Sequence, residues 1–304
     1  MKSIVAALAV IGFVAVSGAT AGPALAQTKP KAAPAKAAPA KAGAPAYRAP
    51  RGPDGKHPDL NGVWQVMNSA NWDIEPHAAR AALQLRPGPF VPVPAKAVVA
   101  LGAVGAVPAG LGIVEGGEIP YKPEKKAQRD ENRKNYLDLD KGDPEVKCYL
   151  PGVPRANYMA MPFQVFQSEK SMIIAYEYAG AVRNVLFNDP GPAPVDSWMG
   201  QSVAKWDGDT LVVTVTGMID RSWLDRAGNF HSDQMSVVER WTPTGPGVMR
   251  YEATITDPET FTRPWKMSFN LYKHVGEDAR LNQFKCVEFV EELMYGDLRK
   301  EPLK

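Results

Sequence analysis

The rhythm of apolar and polar residues changes near Pro162. Beyond it, short runs rich in β-branched and aromatic residues alternate with turn residues, which is strand grammar rather than helix grammar. The runs are FQVFQ, MIIAYEYA, VRNVLFN, SVAKW, TLVVTVTG, MSVVERW, MRYEATIT and WKMSFNLYK. Asp207-Gly208 supplies the positive-φ chemistry of a tight hairpin between two of them. An earlier strand is expected at Val63-Trp64, after the Asn61-Gly62 turn, and a last one near LNQFKCVEF, residues 281–289. Strands without intervening helices predict one mainly β domain, an antiparallel barrel or sandwich.

The stretch before Pro162 reads differently. HAARAALQL, 77–85, predicts a short helix, and KPEKKAQRDENRKNYLDLD predicts a charged surface helix from Pro123 to before Gly142, with Tyr136, Leu137 and Leu139 available to dock one end. Between them, residues 86–121 are rich in Gly, Pro, Ala and Val, which break a regular helix; a lid or a wrap around a barrel mouth is one reading. The region 73–145 is therefore expected as an insertion over a β domain spanning 57–290, with a tail at 291–304.

Strand phase selects candidate chemistry, because alternate residues share a face. In QMSVVERW, Met235, Val237, Glu239 and Trp241 lie together, which puts a carboxylate on the more apolar face. Ile174, Tyr176 and Tyr178 line up in MIIAYEYA, and Arg183 accompanies Val185 and Phe187. A charge on an apolar face is costly unless it is paired. Two solutions stay open: a buried Glu239–Arg183 pair, or a cavity where Tyr176, Arg183 and Glu239 meet a bound molecule. His231 stands at the start of its strand, where a group titrating near neutrality can act as acid, base or donor.

The two ends and the composition bound the rest. Lys2, the apolar run Ile4–Val16 and the small-residue exit Ala24-Leu25-Ala26 have the three parts of a secretory signal, residues 1–26, too short in its apolar part for a membrane span. Ala-Pro-Ala-Lys units over 27–56 read as a solvated linker. A periplasmic or secreted location follows, with no stable membrane span after signal removal. In an oxidising compartment the only two cysteines, Cys148 and Cys286, are disulfide candidates, although a nucleophilic Cys148 is an alternative. A formal net charge of +2 over 304 residues gives no reason to expect nucleic acid. The four histidines lack metal-ligand spacing, and no nucleophile elbow, phosphate loop or dinucleotide fingerprint occurs, so neither metal nor cofactor is expected.

The Gly-x-Trp at 62–64 resembles the first strand of lipocalin-like barrels, which implies a single antiparallel lipocalin-like β-barrel. HPDLNGVWQ, GGEIPYKPE, DPEVKCYLPGVPR, SWMGQSVAKWDGDTLVV, DRSWLDRAGNFHSDQMSVVERW and YEATITDPETFTRPW together resemble a broad family of exported, mostly uncharacterised bacterial proteins. The resemblance covers nearly all of the mature chain. It implies one domain and export, but no reaction. Where relatives often carry a Gly-Arg-x-His segment, this chain has NDPGPAPVDSW, which puts a two-histidine mechanism in doubt.

Two classes of function follow. The first, preferred by a narrow margin, is a cofactor-independent lyase, decarboxylase or isomerase acting on a small apolar or aromatic molecule. His231, Glu239 and Tyr176 would be its catalytic groups, and Arg155, Arg183, Tyr158, Tyr178, Trp241 and Trp265 its substrate-binding residues. The second is a lipocalin-like carrier that binds such a molecule unchanged.

Overall fold

A computed structural model describes residues 47–81, 106–136, 138, 140–290 and 293, all within one compact unit spanning 45–304. Nine strands close into a barrel: β1 (Gly62–Val66), β4 (Phe163–Gln167), β5 (Ser171–Tyr176), β6 (Val182–Leu186), β7 (Gln201–Asp207), β8 (Thr210–Thr216), β9 (Ser236–Gly245), β10 (Val248–Thr256) and β11 (Trp265–Lys273). A two-stranded pair, β2 (Arg80–Ala81) with β3 (Ala106–Val107), and the helix α1 (Pro123–Lys134) lie between β1 and β4.

Each strand forms where its sequence alternates. Along β10 buried and half-buried residues alternate without a break, and along β11 Trp265, Met267, Phe269 and Leu271 turn inward. Gly208, at φ 59°, makes the β7–β8 turn, and Gly247, at φ 68°, closes the β9–β10 hairpin beside a register shift at Val248/Met249. β9, β10 and β11 are the longest strands of the wall.

β1 closes the barrel by pairing with both β4 and β11. The seam between β6 and β7 is parallel, while every other barrel seam is antiparallel. A parallel pair cannot be joined by a hairpin, and the crossover at 187–200 makes the return. The proline-rich NDPGPAPVDSW is that crossover.

The interior is filled. Trp241, Tyr251, Phe163 and Tyr176 are all buried and pack ring against ring, with Trp241 edge-on to both Phe163 and Tyr251. Trp64 sits in the same core and donates from Nε1 to the Leu60 carbonyl at 2.9 Å.

Several elements differ from the sequence expectation. Residues 77–81 are not helical: His77 bridges Gly110 and Arg80–Ala81 pair as a strand, because backbone partners in the 106–110 segment outbid a short alanine helix; residues 82–85 lie outside the described residues. The expected helix begins at Pro123 but stops at Lys134; Leu137 and Leu139 also lie outside the described residues. Residues 281–287 form no strand, and β11 supplies the last one. That terminal segment is instead stapled to the insertion by the disulfide Cys148–Cys286, with Cα atoms 5.7 Å apart. Tyr178 leaves the face of Tyr176 because β5 ends there and a 3-10 turn begins at Tyr178.

Candidate functional site

Strand phase places Glu239 inside the barrel, and the structure surrounds it with partners. The Arg183 guanidinium on β6 pairs with it through both terminal nitrogens, while its Nε donates to Ser202 Oγ at 2.7 Å. Tyr251 OH and Asn157 Nδ2 each donate to Glu239 Oε1 at 2.8 Å, and Tyr176 OH donates to Asn157 Oδ1 at 2.8 Å. Burial pushes the Tyr176 hydroxyl up to about 12, and burial with the Glu239 charge pushes Tyr251 well above its usual range. Burial opposes the Arg183 charge, but Glu239 outweighs it and holds the guanidinium protonated. Three donors converge on Oε1, and Oε2 is held by Arg183, so this buried carboxylate is paired and hydrogen-bonded from within the protein. Tyr176, Arg183 and Glu239 thus meet, as one of the two solutions requires, and their bonds end within the protein.

His231 belongs elsewhere. Its Nδ1 lies 2.8 Å from the Ser232 carbonyl, which fixes the tautomer, and its Nε2 lies 2.7 Å from Ser222 Oγ as acceptor. Burial lowers its pKa, against the pull of the Ser232 carbonyl. Ser232 is itself clamped by Asp257 through its N–H and hydroxyl, both at 2.7 Å. The pair is a serine–histidine dyad in geometry, but Ser222 and His231 are each only 2% exposed. No hydrogen bond joins it to Glu239 or Tyr176.

Arg155 anchors a third cluster, beneath the insertion. It holds Asp143 by a bidentate contact, 2.8 Å on both arms, and also reaches Glu145 at 2.5 Å and Asn71 Oδ1 at 3.0 Å. Arg226 grips Glu145 from the other side at 2.7 and 2.8 Å and lies 4.2 Å over the Trp72 ring. Burial would raise the Glu145 carboxyl, but Arg226 and Arg155 bring it down to about 2. Nearby, burial and then Asp73 push Asp225 up to about 7, against its hydrogen bonds from Asn229 and the Ile74 N–H. Tyr158 donates to the Leu224 carbonyl at 2.7 Å and Tyr178 to the Glu145 carbonyl at 3.0 Å. Trp265 packs edge-on to Phe261. Of these side chains only Asn71 and Trp72 line one of the three cavities described next.

What this third cluster supports is a groove. Asn71 and Trp72, fixed from below by Arg155, Glu145 and Arg226, form one wall of a cleft of about 1030 Å³ on the outer surface of β10 and β11. The opposite wall is the strap 108–113, and the floor includes Arg250, Asn270 and Tyr272. Met67 and Leu111 stand exposed at its rim, 79% and 97%. Arg250 is half-buried, donates to Ser268 Oγ at 2.7 Å, and among the described residues has no carboxylate in ion-pair range. Two smaller clefts, of about 570 and 320 Å³, lie by the crossover and beside His274. Among the described residues no group of three or more His, Cys, Asp or Glu is placed to hold a metal ion.

Arg250 and Ser222 were not singled out from the sequence, whereas the strap falls in the 86–121 segment read there as a lid or a wrap around a barrel mouth. Arg250 falls on the polar face of MRYEATIT, where an arginine is unremarkable. Only the position of the strap over β10 and β11 makes it part of a site. No family model, curated protein or solved structure matches the chain. The functional reading therefore rests on these residues alone.

Proposed function

We propose that the protein is an exported carrier for a small aromatic or apolar carboxylate, bound in the groove between the 67–72 turn and the 108–113 strap. One observation carries this reading: a half-buried guanidinium, held in place by Ser268 and lacking a carboxylate partner among the described residues, at the floor of an apolar cleft. The apolar walls supply contact area and Arg250 supplies orientation, the division of labour usual in small-molecule sites. Calorimetric titration with benzoate and with benzyl alcohol tests it. Benzoate binds and the neutral alcohol binds more weakly; Arg250→Ala weakens benzoate at least tenfold, the order expected for a lost charge-assisted bond. Equal binding of acid and alcohol, or an unaffected variant, removes the basis for the reading.

A catalytic reading has a separate observation behind it, the hydrogen bond between Ser222 Oγ and His231 Nε2. A neutral imidazole oriented through Nδ1 is the right form for a general base in cofactor-independent chemistry. Burial of both groups places it second. Incubation with a panel of aromatic acids and lignin-derived dimers, followed by mass spectrometry, decides it: a product lost on His231→Ala supports catalysis, and unchanged ligands throughout reject it.

A further inference from the structure

The strap that walls the groove is fastened by a histidine with an unusual set of partners. His77 Nδ1 lies 2.7 Å from the Glu75 carbonyl oxygen, and Nε2 lies 2.9 Å from the Pro108 carbonyl oxygen. A carbonyl only accepts. A neutral imidazole has one N–H, so one of the two contacts would set a nitrogen lone pair against an oxygen lone pair. Only the imidazolium, with two N–H groups, donates to both.

The backbone adds two bonds at the same place, His77 N–H to the Gly110 carbonyl at 2.9 Å and Gly110 N–H to the His77 carbonyl at 3.0 Å. The approach is so close that a Cβ on Gly110 would sit 2.6 Å from His77 Cε1 and 2.3 Å from Ser69 Oγ. Beyond this point the strap is tied by Ile113 N–H to the Ile74 carbonyl and by Ser268 N–H to the Ile113 carbonyl. Residues 108–112 between these ties and β3 are the groove wall.

We propose that His77 is a proton-operated latch for the groove; this rests on the carrier reading above and adds its regulation. As imidazolium the ring bridges the 75–77 turn to Pro108 and holds the wall in place. Loss of one proton leaves a lone pair facing a carbonyl, breaks one of the two bonds and frees the wall. The ordered wall is then present while the ring carries both protons and is lost when it gives one up.

The surrounding charges do not take over this role. The Glu75 carboxylate accepts from Ile119 N–H and pairs with Arg129 at 3.1 Å. Asp73 accepts from Glu75 N–H and faces Arg133 at 3.5 Å. The strap residues 106–113 contain no titratable side chain, and Ser69 offers only a hydroxyl. Among the described residues no carboxylate contacts the His77 ring.

Hydrogen exchange of the full-length, ligand-free protein at pH 5.5 and 8, corrected for intrinsic rates, tests the latch. The wild type loses at least fivefold protection at the Gly110 amide between the two conditions, and His77→Gln shows the same protection at both. Protection that is independent of pH in the wild type, or an equal pH response in His77→Gln, overturns the proposal; the latter would assign the response to another histidine. Benzoate titration at the same two pH values is the second arm. With the latch response present, binding that weakens at pH 8 in the wild type but not in His77→Gln supports the coupling. Absence of benzoate binding at both pH values rejects the carrier reading while the exchange result still decides the latch.

Discussion

Arg250 and Tyr251 are neighbours on β10, yet they serve two regions built on opposite terms. Tyr251 points inward and joins Arg183, Glu239, Asn157 and Tyr176, where charges and hydroxyls are spent on one another. Arg250 points outward to the groove, where among the described residues its hydrogen-bond partner is a serine hydroxyl. Successive side chains on a strand face opposite ways, so a single residue step separates a structural network from a vacant charge. The comparison sets an inward charge paired within the core against an outward charge that has a serine hydroxyl and no carboxylate beside it among the described residues.

The largest effect should come from breaking the interior. Glu239→Ala leaves Arg183 buried without its counter-charge and should cost about 3–5 kcal/mol, measured by thermal or urea unfolding. The folded fraction should still bind benzoate with wild-type affinity. A stable variant, or one that folds but no longer binds, would collapse the distinction between the two regions.

Acid titration sharpens the comparison at the groove's foundation. Glu145 is held down to about 2 in the folded protein, against an ordinary value of 4.5. Its contribution to stability is present above 4.5 and is lost as pH falls toward about 2. Asp225, pushed up to about 7 from 3.8, has the opposite sign: it favours the folded state below 3.8 and that advantage declines as pH rises to about 7. Urea unfolding from pH 2 to 8 should therefore lose its rising acid limb in Glu145→Gln and lose part of its decline above pH 4 in Asp225→Asn.

The smallest effect on stability belongs to Arg250→Ala. A half-exposed arginine with one neutral partner should change unfolding free energy by no more than about 0.5 kcal/mol, even though benzoate affinity drops. A large destabilisation would move Arg250 into the structural class.

Much of the barrel was legible because its strands follow period two with turn residues between them. Glu239 and Arg183 were found as inward charges by phase alone, and their pairing was one of two stated outcomes. The placement of Tyr178 failed for a local reason: the strand ends at Tyr176, and phase has no meaning past a strand's last residue. The helix expected at 77–85 failed because alanine propensity is weak beside the backbone bonds offered by the 106–110 segment. Arg250 was invisible because an outward arginine looks the same whether or not another loop passes over it. Long-range apposition of this kind leaves no periodic trace in the chain.

The position of β1 has a consequence for the order in which the molecule can be made. This strand ends at Val66, yet its two neighbours are β4 and β11, and β11 finishes at Lys273. Synthesis from the N-terminus delivers β1 before every other barrel strand and β11 after them. A fragment that stops between Thr256 and Trp265 would hold β1 and β10 as open edges, so closure of the barrel waits for β11.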